Sequence, residues 1–578
     1  MDRHAVALVL QEIASLLQTE PANRFRARAF RAAARAVEGV EEDLPALVAS
    51  GALHDVPGIG PATARIIEEL VVTGESSYLA TLQERGPATL QALLRVPGLG
   101  PRKIGLLHSE LGITDLDSLE AAARSGHIAR LRGFGEKTQQ AILAGVPFAR
   151  SVAGRRTYLH AAEAAHRLAG FIATLPGVLS VSVAGELRRR LETADRIVIV
   201  AAVQDGGLEA ALAGSPGLAW TRAEGAFHAR LADGIPVSVQ AVTPAGFGAA
   251  LLLATGSATH VAAVRRSAGE AGLRLETHGL FRDDEQVPTP AEDAVYEALD
   301  MQPVPPELRE HGDEVALALA RRLPRLVEPD DLRGCFHCHT TYSDGVATLE
   351  EMAEGALALG WRYLGIADHS RSAGYAGGLS VAQVRRQHAE IDAWNRRRGD
   401  ELHIFRGVEA DIMQDGRLDY AAQGDDAVLA AMDYVVGSVH SRFKLDRKGM
   451  TRRMVTAVSD RRLTFLGHAT GRLLLMRDGY DVDLDAVIRT AAEYGAAIEI
   501  NADPRRLDMS WQHWPLAGEL GVRTAINPDA HSVDGMRNVE FGVNVARKAW
   551  LTADDVINTW ELADVQQYFE ERKRGGQG

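Results

Sequence analysis

Two cysteines in 578 residues, Cys335 and Cys338, exclude a disulfide framework and any zinc site built on cysteine alone. No stretch approaches the ~18 apolar residues of a membrane-crossing helix. The opening MDRHAVALVLQEIASLLQ is too short and too interrupted in its apolar run for a secretion signal. A soluble cytoplasmic chain with no membrane partner is therefore expected. Positive charge is also scarce, with 63 Lys and Arg against 77 Asp and Glu, a formal net charge of −14. Phosphate contacts need positive charge locally, so nucleic-acid binding has to be sought in patches. No lysine occurs before Lys103, so the first hundred residues offer no side-chain amine for a Schiff base. At 46% hydrophobic and 24% charged the chain is otherwise globular, and its length calls for roughly three or four domains.

The first 150 residues read as all-helical and repetitive. VPGIG (56–60) and VPGLG (96–100) each follow one amphipathic helix and precede another, and GFG (133–135) repeats the pattern less perfectly. A helix, a Gly-x-Gly hairpin and a second helix form a unit in which Gly58, Gly60, Gly98 and Gly100 let backbone N–H groups approach a DNA phosphate without reading a base. The plainer reading, a Pro-Gly turn joining two packed helices, suits one copy better than two. In NRFRARAFRAAARAV (23–37) the spacing of Arg24, Arg28, Arg31 and Arg35 puts four guanidinium groups on one helical face. The nearest downstream acids, Glu38, Glu41 and Glu42, lie beyond that stripe, which favours a phosphate-facing role over a merely solvated face.

From about Tyr158 to Leu280 helices mix with short strands such as RIVIVAAV and IPVSVQAV. The segment 282–331, proline-rich and acidic, reads as a linker around one amphipathic helix. Beyond it, apolar runs end in metal-type residues again and again: GCFHCH, YLGIADH, IFRGVEAD, YVVGSVHS, TFLGHAT, AIEINAD and RTAINPDAH. Seven strands separated by helices, each polar at its C-terminal end, is the pattern of a (β/α) barrel with one active-site mouth.

His337 and His339 stand two apart on a strand, so both imidazoles point to one side, and Asp344 follows on the loop. His369, Glu409, His440, His468, Asp529 and His531 close the later strands. Nine nitrogen and oxygen ligands suffice for about three ions at four to five ligands each once waters and bridging groups are counted, and zinc, manganese and iron all suit a set without thiolate. Such clusters activate a water and neutralise charge developing on a phosphoryl group. His388, His403 and His513 fall mid-helix or before a strand and are read as core residues. Cys335 and Cys338, three apart, should face opposite ways on a strand and are read as packing.

HCHTTYSDG, IADHS, GVEAD, GSVHS, GHATGRLLL and DAHS resemble the motifs of the polymerase-and-histidinol-phosphatase (PHP) domain. With NRFRARAFRAAARAV, both Pro-Gly hairpins, ATGSATH and PPELRE, nearly the whole chain is similar to the bacterial DNA polymerase X family. The resemblance implies a helix-hairpin-helix region (1–85 and 86–155), an α+β polymerase-beta-like palm and thumb (156–285), a linker (286–330) and a C-terminal (β/α)7 PHP barrel (331–575). It implies a DNA-repair protein of the nucleoid whose barrel is a metal-dependent 3′→5′ exonuclease, with abasic-site endonuclease or 3′-phosphatase activity in some members. It further implies two to three divalent ions, manganese or zinc with iron as another choice, no organic cofactor, and gapped, nicked or 3′-ended DNA as partner of a monomer. His337, His339, Glu409 and His440 would then act in catalysis, and Arg472 of GHATGR resembles a phosphate-contacting arginine, a salt bridge at the barrel rim being the alternative.

Against the same family the stretch GELRRRLETADRIVIV (185–200) is degenerate. Aligned on Gly185, Arg188, Arg189, Glu192 and Thr193, the two aspartates that would hold metal fall on Arg196 and Val198, and a third, on a later strand, falls on Ser238. Sliding the strand to enlist Asp195 pairs it with Ile197, so no register gives two carboxylates. Glu186 stands for the serine that would meet a triphosphate, and Leu253-Ala254 for the aromatic pair before Thr255, Gly256 and Ser257. Arg188, Arg189, Arg265 and Arg266 remain, able to hold DNA or to fold the domain. The lyase lysine of some members aligns with Ile66. An inactive polymerase core is expected; an active polymerase with unusual ligands, a DNA-end-binding scaffold and a small-molecule phosphatase are the competing readings.

Overall fold

The computed structural model describes residues 6–574 except 8, 11–12, 15–16, 18–23, 39–43, 74–75, 80–91, 205–206, 214–217 and 232–233. The chain divides into two compact units, Met1–Gly154 with Leu475–Arg477, and Arg155–Leu474 with Asp478–Gly578.

In the first unit the helix Arg24–Glu38 buries Ala27, Phe30, Ala33, Ala34 and Val37, while Arg28 and Arg31 are exposed on the other face. The side chains of Arg24, Arg35 and Glu38, together with Glu41 and Glu42, lie outside the described residues, as does the 85/86 boundary. Three hairpins share one geometry. Gly58, Gly98 and Gly133 have φ of 98°, 86° and 90°, the left-handed region that glycine enters without a steric cost. Gly60, Gly100 and Gly135 each accept, through their carbonyl, the first N–H bonds of the helix that follows. A Cβ on Gly60, Gly98 or Gly100 would meet nothing within 4 Å, so the amide surface there is bare. GFG thus builds the same turn as the two Pro-Gly hairpins.

The second unit opens with a five-stranded sheet in the order Val178–Ala184, Ile197–Val203, Pro236–Val242, Ala226–Arg230, Thr221–Ala223. Its helix Tyr158–Ala173 covers one face and Phe247–Thr255 the other. The expected linker is corrected. Helices Glu292–Ala298 and Asp313–Leu319 bury Val295, Tyr296, Val315 and Ala318, and the stretch between them buries Val304 and Leu308, in one core with Leu252, Val264 and Leu280. Composition misled because the acids of this segment are partners for arginines far away in sequence. Glu292 is clasped by Arg188 (both contacts 2.6 Å) and by Arg309 (2.6 and 3.1 Å), and Arg309 is only 2% exposed.

Seven strand positions then form a parallel barrel: Gly334–Cys338, Tyr363–Ile366, His403–Arg406 continued by Glu409–Asp411, Val436–Ser438, Phe465–Leu466, Ala497–Asn501 and Thr524–Asn527. A bridge from Cys338 to Ala530 closes the ring, and one from His369 to Glu409 ties the second half of the broken third strand to the neighbour that the first half already pairs with. The break falls at Gly407, where a Cβ would stand 2.2 Å from the Tyr434 ring. Phe336, Tyr363, Phe405, Tyr434 and Phe465 fill the interior together with Phe569 of the last helix, Leu562–Arg574. The polar strand ends are left at the opposite mouth.

The two cysteines contradict the pleat argument. Their sulfurs are 3.4 Å apart, both wholly buried, because the strand bulges: Cys335 pairs with Leu364 and Cys338 with Ile366, three steps against two.

Candidate metal centre

All nine expected ligands meet at the barrel mouth. Three overlapping groups have ligand atoms within 4.8 Å of one another: His339, Asp344, His369 and His531; His337, His339 and Glu409; His369, Glu409 and His440. The other two border them, His468 Nε2 standing 3.1 Å from Glu409 Oε1 and Asp529 Oδ1 3.2 Å from His339 Nε2. Glu409 is the hub, since the break in its strand aims its carboxylate at His337, His339, His369, His440 and His468 together. His468 and Asp529 have φ of 22° and 52°; non-glycine residues held so are strained, and strain of this kind collects at functional sites.

Acceptors behind the ligands fix the ring orientations, and two of them, Glu499 and Asp411, go unrecognised in the sequence. Glu499 Oε2 accepts His337 Nδ1 at 2.7 Å, Asp411 Oδ1 accepts His440 Nδ1 at 2.6 Å, and the Asp529 carbonyl accepts His531 Nδ1 at 2.8 Å. Each bond leaves Nε2 facing the cluster, the arrangement that orients metal-binding imidazoles. Asp411 stands two residues after Glu409 in GVEAD, on the same face of the strand, whereas Glu499 in AIEINAD is about thirty residues from any ligand and nothing in its spacing marks it.

The donors fit divalent ions. Several buried ring nitrogens, among them His337 Nε2, His339 Nδ1 and His468 Nδ1, have no hydrogen-bond partner among the described residues, and orphans of that kind call for an explanation such as an ion. Charge agrees. Burial opposes protonation of His369 and His440, yet Glu409 outweighs it and pushes them up to about 10 and 9. His339 is pushed down to about 4 by burial and by the charges of His531, His369 and His337. A pocket whose carboxylates draw protons onto some rings and whose rings repel them from another is one that cations can balance. Burial works against ionisation of Glu409 and Asp529, but the surrounding imidazoles hold both well below the usual carboxylate range. His388, His403 and His513 lie outside the three groups.

Arg472 is committed elsewhere. Its Nη2 donates to Glu192 Oε1 at 2.7 Å and to the Leu507 carbonyl, and its Nε to the Arg506 carbonyl at 3.0 Å. The expected phosphate contact gives way to the rim salt bridge, because the Glu-Thr turn of the sheet domain reaches the barrel there.

In that domain Val198 and Ser238 are register partners on adjacent parallel strands, with Arg196 two residues before Val198. Val198 packs on Gly185, whose Cβ would lie 3.2 Å away, and on the apolar cluster of Ala184, Val200 and Phe247. Arg196 turns to Asp195 at 2.9 Å, and Glu186 accepts Arg155 at 3.0 Å. Arg188 reaches the Thr255 hydroxyl and Arg189 its carbonyl, at 3.0 and 2.6 Å, the turn into Gly256. Among the described residues no potential metal group forms here.

A barrel with this cluster, carried behind hairpin repeats and a thumb-like helical domain, defines a metal-dependent hydrolase of the nuclease and phosphatase kind within a DNA-binding chain. Family models match in the same order: a helix-hairpin-helix domain (1–76), a helix-hairpin-helix tandem (90–146), the DNA polymerase beta thumb (250–310) and the PHP domain (336–503). The chain is 33% identical over 577 residues to the DNA polymerase/3′-5′ exonuclease PolX of Bacillus subtilis (strain 168), covering 99% of this chain and 100% of that one. It belongs to the PolX family. The barrel alone is similar to probable phosphatases, 26% identical over 255 residues in Thermoanaerobacter sp. (strain X514), covering 41% of this chain and 94% of that one. A second, from Caldanaerobacter subterraneus subsp. tengcongensis, is 28% identical over 262 residues, covering 42% and 93%.

Proposed function

We propose that this chain processes DNA ends by hydrolysis alone: the barrel removes nucleotides 3′→5′, or a blocking group at a lesion or 3′ phosphate, while the polymerase core contributes structure and grip. The nine-ligand cluster carries this reading. Bound there, two to three divalent ions, manganese or zinc with iron as another choice, supply an activated water and neutralise charge on the phosphoryl group. His337, His339, Glu409 and His440 hold them, and Glu499 and Asp411 keep two of those rings in the ligating tautomer. Gapped, nicked or 3′-ended DNA reaches the mouth from the nucleoid, gripped by a monomer through Gly58, Gly60, Gly98 and Gly100 and the stripe of Arg24, Arg28, Arg31 and Arg35.

The loss of polymerase chemistry is supported by the apolar seat of Val198 and by arginines already matched to Glu292 and Glu310. The names of the phosphatase-like relatives favour one rival, a small phosphomonoester substrate. End-labelled primer-template, incubated with and without nucleotides across Mg²⁺, Mn²⁺ and Zn²⁺, tests the reading. Shortening without extension is expected, lost in His440→Ala and Asp529→Ala. Incorporation above background would overturn the first half of the proposal, and faster turnover of a simple phosphomonoester than of single-stranded DNA the second.

A further inference from the structure

The loop after the sixth barrel strand carries Arg506, whose Nε lies 3.9 Å from Asp529 Oδ2. Among the described residues no other Lys or Arg comes within 4 Å of a carboxylate of the cluster. The two Asp529 oxygens divide the space: Oδ1 faces His337 and His339, and Oδ2 faces Asn501 at 3.1 Å and Arg506. The Arg506 side chain is four-fifths buried and makes, among the described residues, no side-chain hydrogen bond of its own, whereas its neighbour Arg505 is spent on Asp503 at 2.6 Å. A sheltered guanidinium with donors to spare, beside ligands to cations, is built to take an anionic oxygen. Tyr375 stands across the mouth, its exposed ring 6.0 and 6.2 Å from those of His369 and His440.

The loop is held from outside the barrel. Leu507 has φ 45°, a strained setting for a leucine. Arg472 clamps it through the Arg506 and Leu507 carbonyls, and Arg472 is itself fixed by Glu192 of the sheet domain, 280 residues earlier. We propose that Arg506 contacts a phosphoryl oxygen of the substrate at the metal cluster, and that Glu192 is a positioning residue acting on it through Arg472. The relic of the polymerase turn thereby sets the nuclease site. This rests on the phosphodiesterase reading above.

The test uses the full chain loaded with Mn²⁺, titrated with inorganic phosphate by calorimetry and assayed on end-labelled single-stranded DNA. Arg506→Ala should weaken phosphate binding and lower kcat/KM by about ten- to a hundredfold, the worth of one charge-assisted hydrogen bond, with metal content by mass spectrometry unchanged. Arg506→Lys should recover part of both, and Arg505→Ala should match the parent. Glu192→Gln should lower kcat/KM severalfold in the parent and add nothing in the Arg506→Ala background, since both changes act at one contact. Phosphate affinity within twofold of the parent in Arg506→Ala overturns the contact; additive losses in the double variant overturn the route from Glu192. A parent without Mn²⁺-dependent cleavage would instead overturn the phosphodiesterase reading, and the phosphate titration would still report on Arg506.

Discussion

Replacing Glu499 by glutamine isolates what the support behind one ligand is worth. Glu499 is wholly buried and accepts four bonds: Oε2 from His337 Nδ1 at 2.7 Å and Asn527 Nδ2 at 2.9 Å, Oε1 from the His468 amide at 3.1 Å and Asn501 Nδ2 at 2.9 Å. Glutamine keeps the volume but turns one acceptor into a donor, and either way round its NH2 meets two existing donors. The lost charge-assisted bond is worth ~1.5–3 kcal/mol, and removing such a partner lowers metal affinity by about ten- to a hundredfold. Titration calorimetry of the metal-stripped variant with Mn²⁺ measures it, with a thermal melt in EDTA to show that the barrel still folds. A dissociation constant within about twofold of the parent, in a folded protein, would refute the view that Glu499 fixes His337 as a ligand.

Two further outcomes follow from buried charge. Glu292→Ala leaves Arg309 buried without its carboxylate and should cost about 3–5 kcal/mol in urea unfolding; a cost under ~1 kcal/mol would mean Arg309 finds water. Burial opposes its ionisation, but Arg309 and Arg188 hold Glu292 down to about 2, so its contribution is present above pH 4.5 and lost as pH falls through 2. In the metal-free protein His369, pushed up to about 10, stabilises the barrel below pH 6.5 and ceases to as pH rises through 10. Melting in EDTA should therefore fall between pH 6.5 and 10, while Mn²⁺ raises it most at the alkaline end, where the ring is free of its proton; a flat profile in EDTA would contradict the charge balance at Glu409.

The barrel was legible because a strand-end histidine or acid is an unusual way to finish an apolar run, and seven such endings point one way. The nine donors stand at those endings or on the loops just after them, and only His337 and His339 also drew on the two-residue period of a strand. Glu499 and Asp411 were not legible, because an acid beside a ligand acquires meaning only when the partner's ring nitrogen is seen to point at it. Proline and acid between 286 and 330 suggested a linker, since sequence gives no sign that Glu292 and Glu310 answer Arg188 and Arg189 a hundred residues earlier. The cysteines depart from expectation because a bulge breaks the regular pleat, and Arg472 proves to be the rim salt bridge because motif position says nothing about whether a guanidinium is already engaged.

The same bulge makes the barrel its own gauge. Both thiols are wholly buried, and burial with the neighbouring sulfur pushes the Cys338 thiol well up, so neither reacts with a thiol reagent while the ring is closed. The other 576 residues hold no cysteine. Two equivalents of label per chain therefore count openings of the strand that carries His337 and leads into His339, and nothing else in the molecule, without a mutation.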